Sequence, residues 1–272
     1  MLGRTGVAVE AVSLGGEGVL RTSGRAAEAV PVIQAAFAAG VKYCDTAPAY
    51  ASSQDYYGAA FRASPGARDR LFLASKTHER TKEGALALLD DSLKRLGTDH
   101  LDLWQMHDLR SMDDVDRILA PDGAVRAAEQ AKKEGRVRFI GVTGHHDPGV
   151  LAAALQRFPF DAVLLPINAA DPARAPFITT VIPEARRIGA AVIGMKVLSR
   201  GMLVQDGVMT ADEAIRYAMA LCDTMIIGCS SVAEVEGNLA IGRRATPLDA
   251  ASRASVESRI AASASKYAYY KG

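Results

Sequence analysis

The sequence predicts a single closed α/β barrel of the (β/α)8 type, a TIM barrel, on three observations. A short apolar run followed by a helical pattern recurs about eight times along the chain. Such alternation builds a parallel sheet with helical crossovers, and eight units point to closure. The 272 residues suit one barrel, which takes roughly 250. No Gly-x-Gly-x-x-Gly turn joins an early strand to a helix, which argues against the open, doubly wound alternative. Residues 1–272 are read as one domain with a helical tail over about 248–272.

The elements follow in order. The first strand is expected at residues 10–14, closed by Gly15-Gly16-Glu17-Gly18. A helix over 31–39 tolerates Pro31 only in its first turn and stops at Gly40. Strand 41–45 ends on Asp45, and a turn with Pro48 carries Tyr50 into a short helix near 54–61. Strand 71–75 runs into Lys76. The next helix has the strongest pattern: Thr81 caps it, Leu86, Leu89, Leu93 and Leu96 recur at three- and four-residue steps, and Gly97 ends it. Strand 101–106 reaches His107, and a helix over 123–134 precedes strand 139–142 and its continuation Thr143-Gly144-His145-His146. The second half reads as helix 148–157, strand 162–165, helix 179–188, strand 191–195, helix 210–221, strand 224–227 and helix 232–241. A last amphipathic helix is expected from 248 to about 266.

Composition narrows the function. Lys plus Arg (32) nearly balance Asp plus Glu (31), which argues against nucleic acid or an anionic membrane as the main partner. The three cysteines, Cys44, Cys222 and Cys229, fit no metal spacing and read as free thiols of a reducing compartment. With no signal-peptide pattern and no run long enough to span a bilayer, a cytoplasmic location is expected. The sequence carries no signal of oligomeric state.

In a barrel the strand C-termini converge on one mouth, and Asp45, Lys76, His107, Thr143, Asn168, Lys196 and Gly228 all lie at or just beyond such ends. Asp45, Tyr50, Lys76 and His107 suit proton transfer to a carbonyl oxygen. A phenol with a pKa of about 10 is a poor acid at neutral pH. An adjacent Lys76 ammonium is expected to lower it, with Asp45 holding the lysine and His107 directing the oxygen. The plainer reading makes Asp45 a cap, Lys76 its ion-pair partner and His107 a loop residue. A third chemistry uses His107, Asp108, His145 and His146 as ligands of a divalent metal for hydrolysis or isomerisation. It leaves Tyr50 and Lys76 without a role, and the proton-transfer reading, which needs no metal, ranks above it.

These residues resemble the aldo-keto reductases over essentially the whole chain. Asp45-Thr46-Ala47-Pro48-Ala49-Tyr50 looks like the family's Asp-Thr-Ala-x-x-Tyr motif, and the run from Ser92 to His107 is similar to its second signature. The resemblance implies a catalytic tetrad of Asp45, Tyr50, Lys76 and His107. It also implies a nicotinamide cofactor, NADP(H) by family default with NAD(H) possible, and a small-molecule carbonyl substrate. Thr143-Gly144 stands where the family usually has Ser-Asn, and Leu164 where it usually has Gln, so two amide contacts to the carboxamide are absent. Thr143 remains, with Asn168 or His145 as substitutes; Met195 takes the place of the stacking aromatic, and Lys196 is placed for a phosphate. The segment from Ile226 to Asn238 resembles the family's adenosine-binding stretch, with Gly228, Ser230, Ser231, Glu234 and Asn238 as its candidate contacts. Glu234 stands where many members carry Arg or Gln, and an acid there disfavours a 2′-phosphate. Tyr267, Tyr269 and Tyr270 of the tail are expected at the surface. The altered carboxamide contacts also admit a catalytically weak redox sensor on the same barrel.

Overall fold

In the computed structural model, which describes residues 1–271, eight parallel strands pair in chain order and the eighth closes on the first. They are β1 (Val12–Gly18), β2 (Tyr43–Asp45), β3 (Phe72–Thr77), β4 (Leu101–Met106), β5 (Val137–Thr143), β6 (Ala162–Pro166), β7 (Ala191–Met195) and β8 (Thr224–Cys229). The helices of the first half are α1 (Ala26–Ala38), α2 (Ser53–Ala63), α3 (Lys82–Leu96), α4 (Met112–Leu119), α5 (Ala124–Lys133) and α6 (Pro148–Arg157). The second half adds α7 (Phe177–Thr180), α8 (Ile182–Arg187), α9 (Met202–Gln205), α10 (Ala211–Met219) and α11 (Val232–Arg244). The tail contributes α12 (Ala250–Ile260) and α13 (Ala264–Tyr267). No helix of the described residues is long and apolar enough to cross a membrane.

Strand periodicity sorts the side chains into two cores. One set faces the helices, with Trp104 and Leu73 packed among residues such as Leu89 and Leu93 of α3. The other fills the barrel: Tyr43, Phe72, Ala74, Leu103, Ala162, Leu164, Ala191 and Ile193, with Leu2 packed among them. Because side chains alternate faces along a strand, two steps onward from this inner set come Asp45, Lys76 and Gln105. The barrel is thus apolar along most of its axis and polar at the C-terminal ends of its strands.

The expected elements are present, with several differences. Helix α1 starts at Ala26, so Pro31 lies inside it and not in its first turn, and only one intrahelical N–H bond is forgone there; the short α9 was not foreseen. Gly15 and Gly16 do not end β1; they lie within it. A Cβ on Gly15 would meet the Gly228 backbone at 3.1 Å, and one on Gly16 would meet the Tyr50 ring at 2.5 Å, so close approach requires these glycines. Helix α4, unforeseen, is started by a capping box of Ser111 and Asp114. The helix expected over 179–188 is two short ones, α7 and α8, because Pro183 lacks an N–H and disrupts the preceding turn. The tail helix breaks after Ile260 into a 3-10 turn and α13. By contrast α3 begins at Thr81, whose hydroxyl accepts from Gly84 N–H at 3.2 Å, and ends at Gly97 in the left-handed region.

Candidate active site

Strands β2, β3 and β4 are adjacent, and their register sets Asp45 beside Ala74 and Lys76 beside Gln105. The Lys76 ammonium donates to Asp45 Oδ1 and, at 2.9 Å, to the Thr46 carbonyl. Gln105 Nε2 donates to Asp45 Oδ2 at 3.3 Å. All three side chains are buried. Burial raises the Asp45 carboxyl and lowers the Lys76 ammonium, and each charge offsets part of the other's penalty. Gln105 fits because Gly141 faces it; a Cβ at Gly141 would meet Gln105 Cγ at 2.9 Å.

Tyr50 lies against this pair. Lys76 Nζ sits 4.8 Å from the ring centroid and the Arg21 guanidinium 4.9 Å from it. The His107 imidazole meets the ring edge-on, 5.7 Å between centroids. Among the described residues no hydrogen bond joins the Tyr50 hydroxyl to Lys76 or His107. Burial, then the negative charges of Asp45 and Glu17, push the phenol well above its ordinary value, against a downward pull from Arg21. This corrects the expected downward shift from Lys76, whose ammonium is committed to Asp45 and meets the ring face rather than the oxygen. Burial, followed by Lys76, holds the His107 imidazole well below its usual range, so it is neutral at physiological pH. Its two ring nitrogens then offer one donor and one acceptor.

The residues expected to hold a cofactor divide into two groups. Thr143, at the end of β5, is buried, and its hydroxyl accepts from Asp108 N–H at 2.9 Å. Met195, half-buried, ends β7, and Leu164 is part of the inner core. Asn168 is spent internally. Its amide donates to the Lys196 carbonyl and the Tyr270 hydroxyl, both at 3.0 Å, and its oxygen accepts from Ala170 N–H at 3.0 Å. That leaves it no donor for a carboxamide. Lys196 adopts a left-handed φ of 58°, and its ammonium lies 5.8 and 5.4 Å from the ring centroids of Tyr269 and Tyr270. Burial lowers its pKa.

The tail therefore corrects the surface expectation for two of its tyrosines. Tyr267 and Tyr270 are buried and only Tyr269 is exposed. Lys271 fastens this segment. It pairs with Asp171 at 2.6 Å and donates to the Asp171 and Arg174 carbonyls, while Asp171 accepts from the N–H groups of Phe177 and Ile178 at the start of α7. Tyr270 also meets His145 edge-on at 6.4 Å, so the tail is a wall of the mouth.

The second group surrounds the start of α11. Ser231 is its N-cap, accepting from Glu234 N–H at 3.2 Å. The Glu234 carboxylate turns back and accepts from Ser230 N–H at 2.8 Å. Asn238 Nδ2 points to Cys229 Sγ at 3.6 Å. Gly228 lies against Glu17, where a Cβ would come within 2.5 Å.

Four contributors were not foreseen. Gln105 anchors Asp45; Gly16, Glu17 and Arg21 surround Tyr50. Gln105 stood two residues before His107 on the predicted strand, so alternation alone could have found it; the other three reach Tyr50 because β1 runs on beside β2 past Leu14, where the sequence read a turn. Of the four candidate metal ligands, Asp108, His145 and His146 come together and His107 does not join them. A surface depression of about 650 Å³, lined by Arg68, Asp69, Lys94 and His100 among others, lies at the opposite end of the barrel, beside the starts of β3 and β4.

The mouth of this closed (β/α)8 barrel thus brings a buried acid and lysine together with a half-buried phenol and imidazole. Residues 11–212 match the aldo/keto reductase family model, and the chain belongs to that family. It is 27% identical to L-galactose dehydrogenase of Arabidopsis thaliana, over 88% of this chain and 86% of that protein. It is 28% identical to D-threo-aldose 1-dehydrogenase of a Pseudomonas species over 65% of this chain, and there spans 62% of the relative. Among solved structures, an aldo-keto reductase from Bacillus halodurans in its holo form superposes with a TM-score of 0.79 at 23% identity, covering 95% of each chain. This likeness shows the fold.

Proposed function

We propose that the protein is a nicotinamide-dependent carbonyl reductase in which Tyr50 gives the proton. The observation that carries this reading is the packing of Tyr50 between Lys76 and His107, with Lys76 locked to Asp45. A bound nicotinamide supplies a hydride to the carbonyl carbon. The Tyr50 hydroxyl donates its proton to the carbonyl oxygen, which neutral His107 orients by a hydrogen bond, and the product leaves as the alcohol. The Lys76 charge beside the ring favours the phenolate as it forms, and Asp45 and Gln105 keep that lysine in place.

The residues fit such a cofactor in part. Buried Thr143 and half-buried Met195 suit the nicotinamide end, and the buried nitrogen of His145 without a hydrogen-bond partner is a further donor or acceptor there. At the adenosine end Glu234 occupies the Ser230 N–H that an anion would use and adds its own charge. We therefore assign a preference for NADH over NADPH, with Glu234 toward the ribose hydroxyls. Two relatives carry names of sugar substrates, so hydroxylated aldehydes and ketones head the substrate class.

Titration with NADH and NADPH followed by a carbonyl panel that begins with sugars tests this reading. Saturable binding with turnover of at least one carbonyl is expected. Tight binding with no turnover would instead favour a redox sensor.

A further inference from the structure

We propose that Asp108, His145 and His146 form a binding site for a zinc-class divalent transition-metal ion at the rim of the barrel mouth. Asp108 follows β4, and the two histidines follow β5; the pairing of Met106 with Val142 brings these loops together. One carboxylate oxygen and one nitrogen from each imidazole lie within 4.8 Å of one another. Asp108 Oδ1 is 2.9 Å from His145 Nε2 and 3.6 Å from His146 Nε2. Ligands about 2.0–2.1 Å from a tetrahedral zinc ion stand roughly 3.3–3.4 Å apart, between these two values.

Two of the three groups leave converging atoms unsatisfied. Asp108 Oδ1 and His146 Nε2, 3.6 Å apart, are buried atoms without a hydrogen-bond partner, and His145 Nε2 stands 2.9 Å from the same oxygen. Buried polar atoms are rarely left so. Lone pairs that converge without pairing need a shared partner, and a cation supplies one. The other carboxylate oxygen is already held: Arg110 contacts Asp108 Oδ2 through Nε at 2.8 Å and Nη2 at 2.7 Å, and Asp108 N–H donates to Thr143. Such outer bonds orient a ligating carboxylate.

Two imidazoles and one carboxylate select zinc, cobalt or nickel over magnesium or calcium. Three protein ligands leave a fourth position for water or an oxygen of a bound molecule. Arg110 and Lys196 act on His146 with positive charge, so donor atoms rather than a negative field must hold the ion. Because His107 precedes Asp108 and Thr143 precedes Gly144-His145, the ion would tie together the two loops that border the mouth.

Equilibrium dialysis of the chelator-treated full-length protein against zinc or cobalt chloride tests the site, with the visible spectrum of the cobalt form as a second readout. One ion per chain is expected, with d–d bands of nitrogen and oxygen ligation and no thiolate charge-transfer band. His146→Ala and Asp108→Asn should each weaken binding at least about ten-fold. His100→Ala, at the other end of the barrel, should leave it unchanged. Circular dichroism identifies any variant that fails to fold, and the remaining variant with the wild-type spectrum then decides. Absence of saturable uptake, unchanged binding in the folded variants, or a thiolate band would overturn the proposal.

Discussion

Lys76 faces Tyr50 ring-on: its ammonium stands 4.8 Å from the ring centroid, while its hydrogen bonds run to Asp45 and the Thr46 carbonyl. The lysine therefore acts on the phenol through its charge and its fixed position, while Asp45 holds the lysine and opposes ionisation of the phenol with its own charge.

Breaking that pair should be costly in two separable ways. Lys76→Met leaves the Asp45 carboxylate buried without its cation, and removing one partner of a buried pair costs about 3–5 kcal/mol. Adding Asp45→Asn should restore part of the stability and none of the turnover. Urea denaturation and kcat on the same three proteins check this; turnover recovering along with stability would mean the pair is only structural.

Gly16 sets the position of the phenol. Its replacement by Ala would bring a Cβ to 2.5 and 2.7 Å from the Tyr50 ring. The ring must move, and a misplacement of about 1 Å can lower kcat roughly 10²-fold. Overpacking of this kind costs about 1–3 kcal/mol of stability. Cofactor affinity measured beside kcat should hold while kcat falls.

These two cases show what the sequence made legible. Strand ends placed Asp45 and Lys76 at the mouth, and Thr81, the leucine spacing and Gly97 marked the bounds of α3. Local pattern sufficed there. The role of Gly16 was not legible, because two glycines read as a turn until the strand they belong to is seen closing against β8. Nor was the tail: the bond of Asn168 to Tyr270 joins residues 102 apart, and Lys271 finds Asp171 only through tertiary packing. An aromatic tail reads as surface when nothing local says what it covers.

The pH dependence follows from the two opposite shifts at the mouth. Burial and then negative charge raise Tyr50, so it keeps its proton through neutral pH and beyond about 10. Reduction, which uses the acid form, should hold its rate from about pH 6 to 9, while alcohol oxidation, which needs the phenolate, should keep rising past about pH 10. Burial lowers His107, so the folded protein binds its proton less readily than the unfolded chain. Its contribution to stability is present above the unfolded pKa of about 6.5 and is lost as pH falls toward the folded value. His107→Gln should flatten that part of the stability profile. A rate limb near pH 6.5 that vanishes in His107→Gln would contradict the neutral imidazole.

Cofactor preference should turn on Glu234, whose carboxylate accepts from Ser230 N–H at 2.8 Å. Glu234→Arg exchanges a competing anion for a cation at the start of α11. The ratio of NADPH to NADH affinity should rise at least about ten-fold, by the removal of one charge repulsion and the gain of one charge-assisted bond. Fluorescence titration with both cofactors reads it, and an unchanged ratio would leave Glu234 as a helix cap alone.

Tyr50→Phe removes the proposed proton donor while the ring and its packing remain. Steady-state carbonyl reduction is measured together with cofactor binding. If Tyr50 gives the proton, kcat falls at least about 10²-fold with cofactor affinity retained; turnover close to wild type would mean that another group does.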